Sequence, residues 1–466
     1  MPEREDRKAR FDGEEFKRLM LLAAPLLAAN LAQVGMGVVD TLVAGRAGMV
    51  DMAGAALGSS LTVPVLCAGM GLLSILGPII SRLRGEGRDA RVGHVVRNGL
   101  WVSLALAVAA MAVLWFARQG FALLTDDWHM AKIASDYVKA VLWGVPAFMG
   151  YCVFRSLHEG FALTRAVMVV GLGGLAFNIP ANFAFVFGWW GLPAMGGAGC
   201  GAATALIYWI ELILMILLVR RSRRLAEHRR QLAAWRAPAW RTVLQIVKLG
   251  GPLGISLLCE VSFFTVASLV LAKYGAGVVA AQQVSVNVSS VFFMLPLSTA
   301  VAASIRMGFF VGRRDAASMN ALASTGLTVT LGVSLLAMVV IILFRYDMIA
   351  CYTHDSGVTS IAQGLLVLCA VYQCPDSIQA YMGGLLRGCH DTAIISRINL
   401  ITYWCLGFPL CLLLVRTDWI VTGGMGAAGA WVSFIIALVA MAVLLSLRYR
   451  KTRRKLQSAW RLLGEE

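Results

Sequence analysis

Four acidic residues interrupt long apolar stretches of this sequence: Asp40, Glu211, Glu260 and Asp376. An ionisable side chain at bilayer depth costs several kcal/mol, so such residues usually line water or the interior of a helix bundle. A carboxylate in such a place can hold a proton, a metal cation or a positively charged organic molecule. The positions of these acids therefore indicate sites for positively charged ligands.

The first candidate site lies in the amino-terminal half of the chain. Asp40 stands in QVGMGVVDTLVAG, and the segment NIPAN places Asn178 and Asn182 four residues apart, on one face of a helix. One carboxylate beside two carboxamides predicts an oxygen cage for a dehydrated monovalent cation, or a proton site with amide partners. The alternative is a structural cluster of interhelical hydrogen bonds, a common use of Asn in membranes.

The second candidate site lies in the carboxy-terminal half. Glu260 is in LLCEVSFF and Asp376 is in VYQCPDSIQ, with Tyr372 one helical turn earlier and Pro375 expected to kink the helix. Two carboxylates facing one cavity repel each other, so they can hold a proton, Na⁺ or an organic cation, but not all of these with full affinity together. Competition for the same charge is a physical basis for exchange. The alternative, a buried structural pair, would need a Lys or Arg partner.

Glu211, in IYWIELILM, has no partner evident in the sequence and no counterpart in the second half, so we interpret it as an incidental polar residue. Several large apolar side chains lie in the predicted spans of the second half, two of them in the span of Glu260. They predict either ordinary packing or a pliable apolar wall for varied cations. These side chains are Phe263, Phe264, Phe292, Phe293 and Met294.

The elements that must position these residues are membrane helices. Hydrophobic residues make up 59% of the 466 residues and charged residues only 14%, too few to cover a soluble protein. A helix needs roughly 20 apolar residues to cross the bilayer. The predicted spans are 17–45, 53–82, 94–117, 132–155, 163–188, 197–219, 243–272, 278–305, 322–345, 359–386, 392–415 and 424–447.

The basic residues indicate the orientation. If alternate loops lie on opposite sides, 34 of the 41 Lys and Arg fall on one side and 7 on the other. Basic loops face the cytoplasm, so both termini are expected there. This asymmetry also explains the net charge of +16 without a nucleic-acid partner.

Two halves of the sequence resemble each other. APLLAANLAQ at 24–33 aligns with GPLGISLLCE at 251–260, an offset of 227, and MGGAG at 195–199 aligns with MGAAG at 425–429. Six spans per copy give both copies the same orientation, as in many secondary transporters. We therefore predict an all-α polytopic membrane protein of two parallel six-helix lobes. The predicted parts are a tail 1–16, an N-lobe 17–219, a cytoplasmic linker 220–242, a C-lobe 243–447 and a basic tail 448–466.

Other chemistries find little support in the sequence. The ten cysteines show neither CxxC nor metal-ligand spacing, and we read them as buried apolar residues. No GxxxxGK[ST] motif occurs, which argues against ATP as the energy source. The six His residues are scattered, which argues against a membrane enzyme. The amino terminus lacks the pattern of a cleavable signal, so the first span is expected to remain as an anchor.

Several motifs together resemble the multidrug and toxic compound extrusion (MATE) family, in particular its bacterial NorM branch. They are QVGMGVVDTLVAG, NIPANFAFVFG, GGAGCGAAT, LCEVSFF, VAAQQVS and YQCPDSIQAYMGGLLRG. By that resemblance, Glu260, Asp376 and Tyr372 form a carboxy-lobe cation site able to hold Na⁺. Asp40, Asn178 and Asn182, joined by Thr204, form an amino-lobe polar cluster. The more acidic version of that cluster has an Asp where this chain has Asn182.

The resemblance implies a MATE/MOP-type fold and a secondary active exporter, not an enzyme. It would exchange amphipathic organic cations, such as drugs and dyes, for Na⁺ or H⁺ by alternating access, without a cofactor. The expected partners are small cationic substrates and the lipid bilayer of a bacterial inner membrane, and the expected state is a monomer. A flippase for lipid-linked or other amphipathic substrates is the nearest alternative and would call for a basic cavity. A channel agrees with the composition but less well with duplicated lobes that carry single acids.

Overall fold

The computed structural model describes residues 11–124, 127–227, 236–353, 355–416 and 425–464. Within these ranges the chain is helical and contains no β-strand, which confirms the predicted all-helical class. Parts of the predicted tails and linker, residues 1–10, 228–235 and 465–466, lie outside the described residues, as do residues 417–424 before the last span.

The helices of the first half are numbered in chain order. They are α1 Gly13–Ala47, α2 Met49–Leu73, α3 Leu76–Gly85, α4 Val92–Ala117, α5 Phe121–Leu124, α6 Trp128–Leu142, α7 Val145–Gly160, α8 Thr164–Phe187 and α9 Ala198–Arg221. Short 3₁₀ turns cover Asp89–Arg91, Arg118–Gly120, Trp189–Gly191 and Arg223–Leu225.

The second half continues the series with longer helices. They are α10 Trp240–Leu271, α11 Ala276–Arg313, α12 Ala316–Ala350, α13 Ser356–Gly388, α14 Thr392–Leu400, α15 Phe408–Arg416 and α16 Gly426–Gly464. A 3₁₀ turn covers Ala272–Tyr274, and a π-helical segment, Ile401–Gly407, joins α14 to α15.

The described helices agree in number with the predicted spans. Eleven described spans are long and apolar enough to cross a membrane when α2 is counted with α3, and α14 with the π-helical segment and α15. The bent pair of α6 and α7 gives a twelfth if it is one span. This pair occupies predicted span four and is bent by 49°. Pro146 explains the break, because a proline lacks an N–H and clashes with the carbonyl four residues earlier, here that of Leu142, where α6 ends.

The described residues form two compact units. One consists of Ala24–Leu258, and the other of residues 11–23 together with 259–464. The boundaries between the units fall inside α1 and α10 and not in the predicted linker. The boundaries of the predicted lobes therefore stay a prediction.

Backbone conformation follows the internal repeat. Gly87 after α3 and Arg314 after α11 both have left-handed φ values, 69° and 57°, and they are 227 residues apart. Ala162 after α7 and His390 after α13 form a second such pair, with φ values of 59° and 62° and a spacing of 228. A left-handed residue commonly ends a helix, and a non-glycine residue adopts this conformation at a cost. The two halves therefore share helix endings as well as sequence.

Ion pairs fix two helix ends within the second unit. At the start of α1, Arg306 Nε donates to Glu15 Oε1 at 2.6 Å, and the Asp12 N–H donates to Thr325 Oγ1 at 3.0 Å. Just before α14, Asp391 accepts from Arg448 Nε at 2.7 Å and from the Thr452 hydroxyl at 2.6 Å. The second contact holds α16 where it leaves its apolar part. At 1.5 Å per residue, its 39 residues extend about 58 Å.

Candidate functional site

The first cluster lies inside the unit Ala24–Leu258, around the Asp40 carboxylate. Asn178 and Asn182, one turn apart on α8, donate their amides to Asp40 Oδ1 at 3.1 and 2.7 Å. The Thr204 hydroxyl, on α9, donates to Asp40 Oδ2 at 3.0 Å. The structure thus brings together all four residues proposed for the amino-lobe cluster.

Two oxygen atoms of this cluster are left without partners. Asn178 Oδ1 and Asn182 Oδ1 are buried and have no hydrogen-bond partner in the described part of the chain. Buried polar atoms are normally paired, and an exception calls for a reason such as a missing ligand. Two free carboxamide oxygens beside a carboxylate are suitable ligands for a small cation.

Glycine lets α8 and α9 approach closely enough to build this cluster. A Cβ atom at Gly199 would lie only 2.7 Å from the backbone carbonyl of Phe185, on α8. The crossing therefore requires glycine at this position. Thr204, five residues further along α9, reaches Asp40 from this contact.

The second cluster lies inside the other unit, on α10 and α13. Asp376 is 1% exposed and accepts a hydrogen bond from Gln379 Nε2 at 3.0 Å. The Tyr372 hydroxyl, one turn earlier, interacts with the same carboxylate, and Glu260 is near enough for the two acids to repel each other. Among the described residues, neither acid forms an ion pair with a basic residue. The charge of Arg387 reaches Glu260 without a salt bridge.

Aromatic rings surround this acidic pair. The Tyr372 ring meets Trp431 at 5.5 Å and Phe264 at 6.4 Å, centroid to centroid. Phe263, fully buried, packs on Tyr403 at 5.2 Å. Rings around acids give a site in which both charge and π-faces can attract an organic cation.

The predicted apolar wall is only partly assembled here. Phe263 and Phe264 belong to the aromatic group around Tyr372. Phe292, Phe293 and Met294 lie half-buried on α11, and none of them makes a ring contact with that group among the described residues.

Sequence reasoning missed several residues of this second cluster. Tyr403 comes from the π-helical segment, and Trp431 comes from α16, where its indole N–H donates to Gln282 Oε1 at 2.7 Å. Nothing in the sequence indicates which way these rings point. Gln379 was within reach of prediction, since it follows Asp376 by three residues and shares its helix face.

Glu211 is the last of the four acids that interrupt the apolar stretches of the sequence. It is 1% exposed, and its Oε2 atom has no hydrogen-bond partner in the described residues. The sequence indicated no partner for it. The structure places the charge of Arg155 within electrostatic range of Glu211.

Comparison with protein families matches both halves of the chain. The MatE family model matches residues 25–184 and again residues 252–413. The two matched segments begin 227 residues apart, which is the offset of the internal repeat.

Proteins of known name are similar along nearly the whole chain. The multidrug resistance protein NorM of Photobacterium profundum is 39% identical over 94% of this chain and 95% of its own length. The multidrug resistance protein MdtK of Edwardsiella ictaluri is 38% identical over 95% of this chain and 97% of its own length.

Solved structures share the fold at lower identity. The eukaryotic MATE transporter AtDTX14 has a TM-score of 0.86 at 18% identity, covering 96% of this chain and 99% of its own. The Vibrio cholerae MATE transporter VcmN has a TM-score of 0.84 at 17% identity, covering 95% of this chain and 98% of its own. The family model matched over both halves, together with the relatives that are 38–39% identical, shows that the chain belongs to the MATE family, the multidrug and toxic compound extrusion transporters.

Proposed function

We propose that this protein is a secondary active multidrug efflux transporter that exports amphipathic organic cations in exchange for Na⁺ or H⁺ by alternating access. Membership of the MATE family and the names of its multidrug resistance relatives support the general activity. One observation carries the finer proposal. Glu260 and Asp376 repel each other inside one unit, and neither has a salt bridge in the described residues.

The exchange follows from competition for these two acids. Two carboxylates at bilayer depth that form no salt bridge in the described residues favour a positive ligand. Na⁺ would bind the oxygens of Glu260, Asp376 and Tyr372, a proton would neutralise one carboxyl, and an organic cation would use the same charge. A ligand shifts the balance between inward-facing and outward-facing states only as far as it binds them differently.

The aromatic rings support an organic cation as the exported substrate. Tyr372, Trp431 and Phe264 present π-faces and edges beside the acids. A cation over an aromatic face gains about 0.5–2 kcal/mol with little demand on the shape of the ligand. Such a site accepts cations of varied structure.

The Asp40 cluster is proposed as a second coupling site. Its carboxylate accepts three side-chain hydrogen bonds, and its two carboxamide oxygens remain unpartnered in the described residues. These groups suit either a proton on Asp40 or a monovalent cation bound by oxygens.

The test is dye export from proteoliposomes under separately imposed Na⁺ and pH gradients. We expect ethidium efflux with at least one gradient and a loss of at least tenfold in Glu260→Gln, because the variant lacks one of the two competing charges. Glu227→Gln, the same change at an exposed position, serves as the control. Efflux by Glu260→Gln at the wild-type rate would refute the mechanism, and transfer of lipid-linked substrate without dye export would favour the flippase.

We also propose a multi-pass inner-membrane protein with both termini in the cytoplasm, as the distribution of basic residues favours. Its lobes would be 17–219 and 243–447, joined by the linker 220–242. A monomer is proposed because each polar cluster is complete within one chain. Light scattering of the detergent-solubilised protein tests this last point.

A further inference from the structure

Glu211 lies on the same face of α9 as Thr204, a residue of the Asp40 cluster. It follows Thr204 by seven residues, which is two helical turns and about 10 Å along the helix axis. On α8, Gly174 faces Glu211 and Asn178 faces Asp40, and these two residues are one turn apart. The interior of this unit therefore contains two acidic side chains, Asp40 and Glu211, which lie at different levels along α8 and α9.

Apolar side chains lie near the level of Asp40 and between it and Glu211. Met36, Ala181, Ala203 and Ile207 form a buried hydrophobic cluster. Ile207 lies between Thr204 and Glu211 on α9, and Met36 is one turn before Asp40 on α1. Glu211 is therefore not a ligand of the Asp40 cluster and needs an explanation of its own.

Gly174 on α8 leaves room for the carboxyl group of Glu211. A Cβ atom at Gly174 would lie 2.7 Å from Glu211 Oε1, so glycine makes room for that oxygen. The titratable groups within electrostatic range come from α7 and α9. They are Tyr151, Cys152, Arg155 and Tyr208.

Arg155, the basic group in that set, has other partners. Its Nε atom donates to Glu159 Oε1 at 2.8 Å, and its Nη2 atom donates to Asn30 Oδ1 at 2.9 Å. No salt bridge joins Arg155 to Glu211 in the described residues, although their charges interact. A buried carboxylate without a hydrogen bond or ion pair is expensive, and protonation removes that cost.

We propose that Glu211 is a further proton-binding site of the amino-terminal unit, two helical turns from Thr204 along α9 with Ile207 between them. The Glu211 carboxylate takes up a proton from the surrounding solution and becomes a neutral carboxyl group. The site takes a proton and not Na⁺, because the nearby positive charge of Arg155 repels a metal ion. When Glu211 loses its proton, the carboxylate attracts Arg155 away from Asn30, on the helix that carries Asp40.

Infrared spectroscopy of the purified protein tests the site itself. At neutral pH an exposed carboxyl is ionised, whereas a buried protonated one contributes to the C=O stretching band of carboxylic acids. We expect Glu211→Gln to reduce that band, Glu211→Asp to shift it, and the exposed control Glu227→Gln to leave it unchanged. An unchanged band in both Glu211 variants, or loss of the Glu211 contribution on adding Na⁺, would overturn the proposal.

A transport assay tests the role of this proton, and this part depends on the function proposed above. With dye export driven by a pH gradient, we expect Glu211→Gln to lose at least tenfold in rate and Glu211→Asp to retain most of it. A pH-driven rate in Glu211→Gln equal to wild type would overturn the role in coupling. Should the wild type export no dye at all, the proposed function fails, and the infrared band still decides whether Glu211 holds a proton.

Discussion

At the scale of single residues, the hydroxyl group of Tyr403 stands out. The residue is 1% exposed and its hydroxyl has no partner among the described residues, although the charges of Glu260 and Asp376 both reach it. Burying an unsatisfied hydroxyl costs about 1–3 kcal/mol. An oxygen kept at that cost beside two acids is well placed to become a cation ligand.

We therefore expect Tyr403→Phe to keep or raise the melting temperature without Na⁺, because an unpaired polar atom is removed. The increase in melting temperature on adding Na⁺ should become smaller, because a ligand stabilises a protein in proportion to its binding free energy. Thermal melts in detergent with and without Na⁺ measure both quantities. Tyr449→Phe is the matched control, since its buried hydroxyl also has no partner in the part of the chain that the structure describes but lies on α16 near Cys389. Equal Na⁺ responses in the two variants would contradict this role of Tyr403.

A second residue-scale prediction concerns Asp391, which lies between two spans. Burial alone would raise the pKa of Asp391, but hydrogen bonds from Arg448 and Thr452 and the charge of Arg448 outweigh it and hold this pKa below its usual value. A carboxyl group with a lowered pKa stabilises the fold above its unfolded-state pKa of about 3.9. This contribution disappears as the pH falls through the folded-state pKa.

Asp391→Asn should therefore lower the free energy of unfolding at pH 7, by about 1 kcal/mol for a partly exposed pair. The difference from wild type should shrink below about pH 4, where the unfolded wild-type chain takes up a proton at Asp391. It should disappear once the pH is also below the lower folded-state pKa. Melting curves at several pH values measure this, with Glu14→Gln, in the exposed pair with Arg18, as a control expected to change little. A difference that does not vary with pH would show that the carboxylate charge is not the cause.

Much of the polar chemistry could be predicted from residue type and spacing. The proximity of Asn178 and Asn182 to Asp40 followed from the four-residue spacing, and the structure places them within hydrogen-bonding distance. Arg155 could not be predicted as a neighbour of Glu211, because the proximity of the two charges depends on how α7 and α9 are rotated about their axes. Hydropathy does not determine this rotation.

At the scale of helices, the crossing of α8 and α9 controls the Asp40 cluster. Gly199→Ala should lower the free energy of unfolding by about 1–3 kcal/mol, because its Cβ would overlap the Phe185 backbone. Gly173→Ala, on α8, has no atom within 4 Å of the new Cβ and should be neutral or stabilising, since alanine is the better helix former. Melting temperatures of the two variants test this, and equal values would mean that the helices separate without cost.

The helices themselves were largely predictable, and their irregularities less so. Runs of about 20 apolar residues predicted the spans, because hydrocarbon forces the backbone to satisfy its own hydrogen bonds. The break before Pro146 follows a rule of local sequence, whereas α13 continues through Pro375, and the kink expected there stays a prediction. The π-helical segment Ile401–Gly407 comes just before Pro409, whose ring clashes with the carbonyl of Cys405 inside the segment, but the proline alone does not predict a wider turn.

At the scale of the whole molecule, the two halves share a backbone pattern but carry different chemistry. At the offset of 227, Glu260 corresponds to Gln33 and Asp40 corresponds to Ala267. The acidic pair and the amide-bound carboxylate are therefore not copies of each other. We expect them to differ in their preference for Na⁺ and H⁺.

Orientation in the membrane can be tested with fusion proteins. The excess of basic residues predicts that a green fluorescent protein fused after Gly464 is fluorescent, because the fusion partner stays in the cytoplasm. Alkaline phosphatase fused at the same place should be inactive. The same enzyme inserted at Gly275, between α10 and α11, should be active. The reverse pattern of activities would show that the termini lie on the other side.

The length of α16 has a practical consequence for imaging. It continues for about 58 Å, roughly twice the ~30 Å thickness of the hydrocarbon layer, and Asp391 holds it where it leaves the apolar region. A soluble protein fused in helical register after Gly464 would be carried on a stiff rod and not on a loose tether. Such a marker would give electron-microscopy particles of this small membrane protein a fixed feature for alignment.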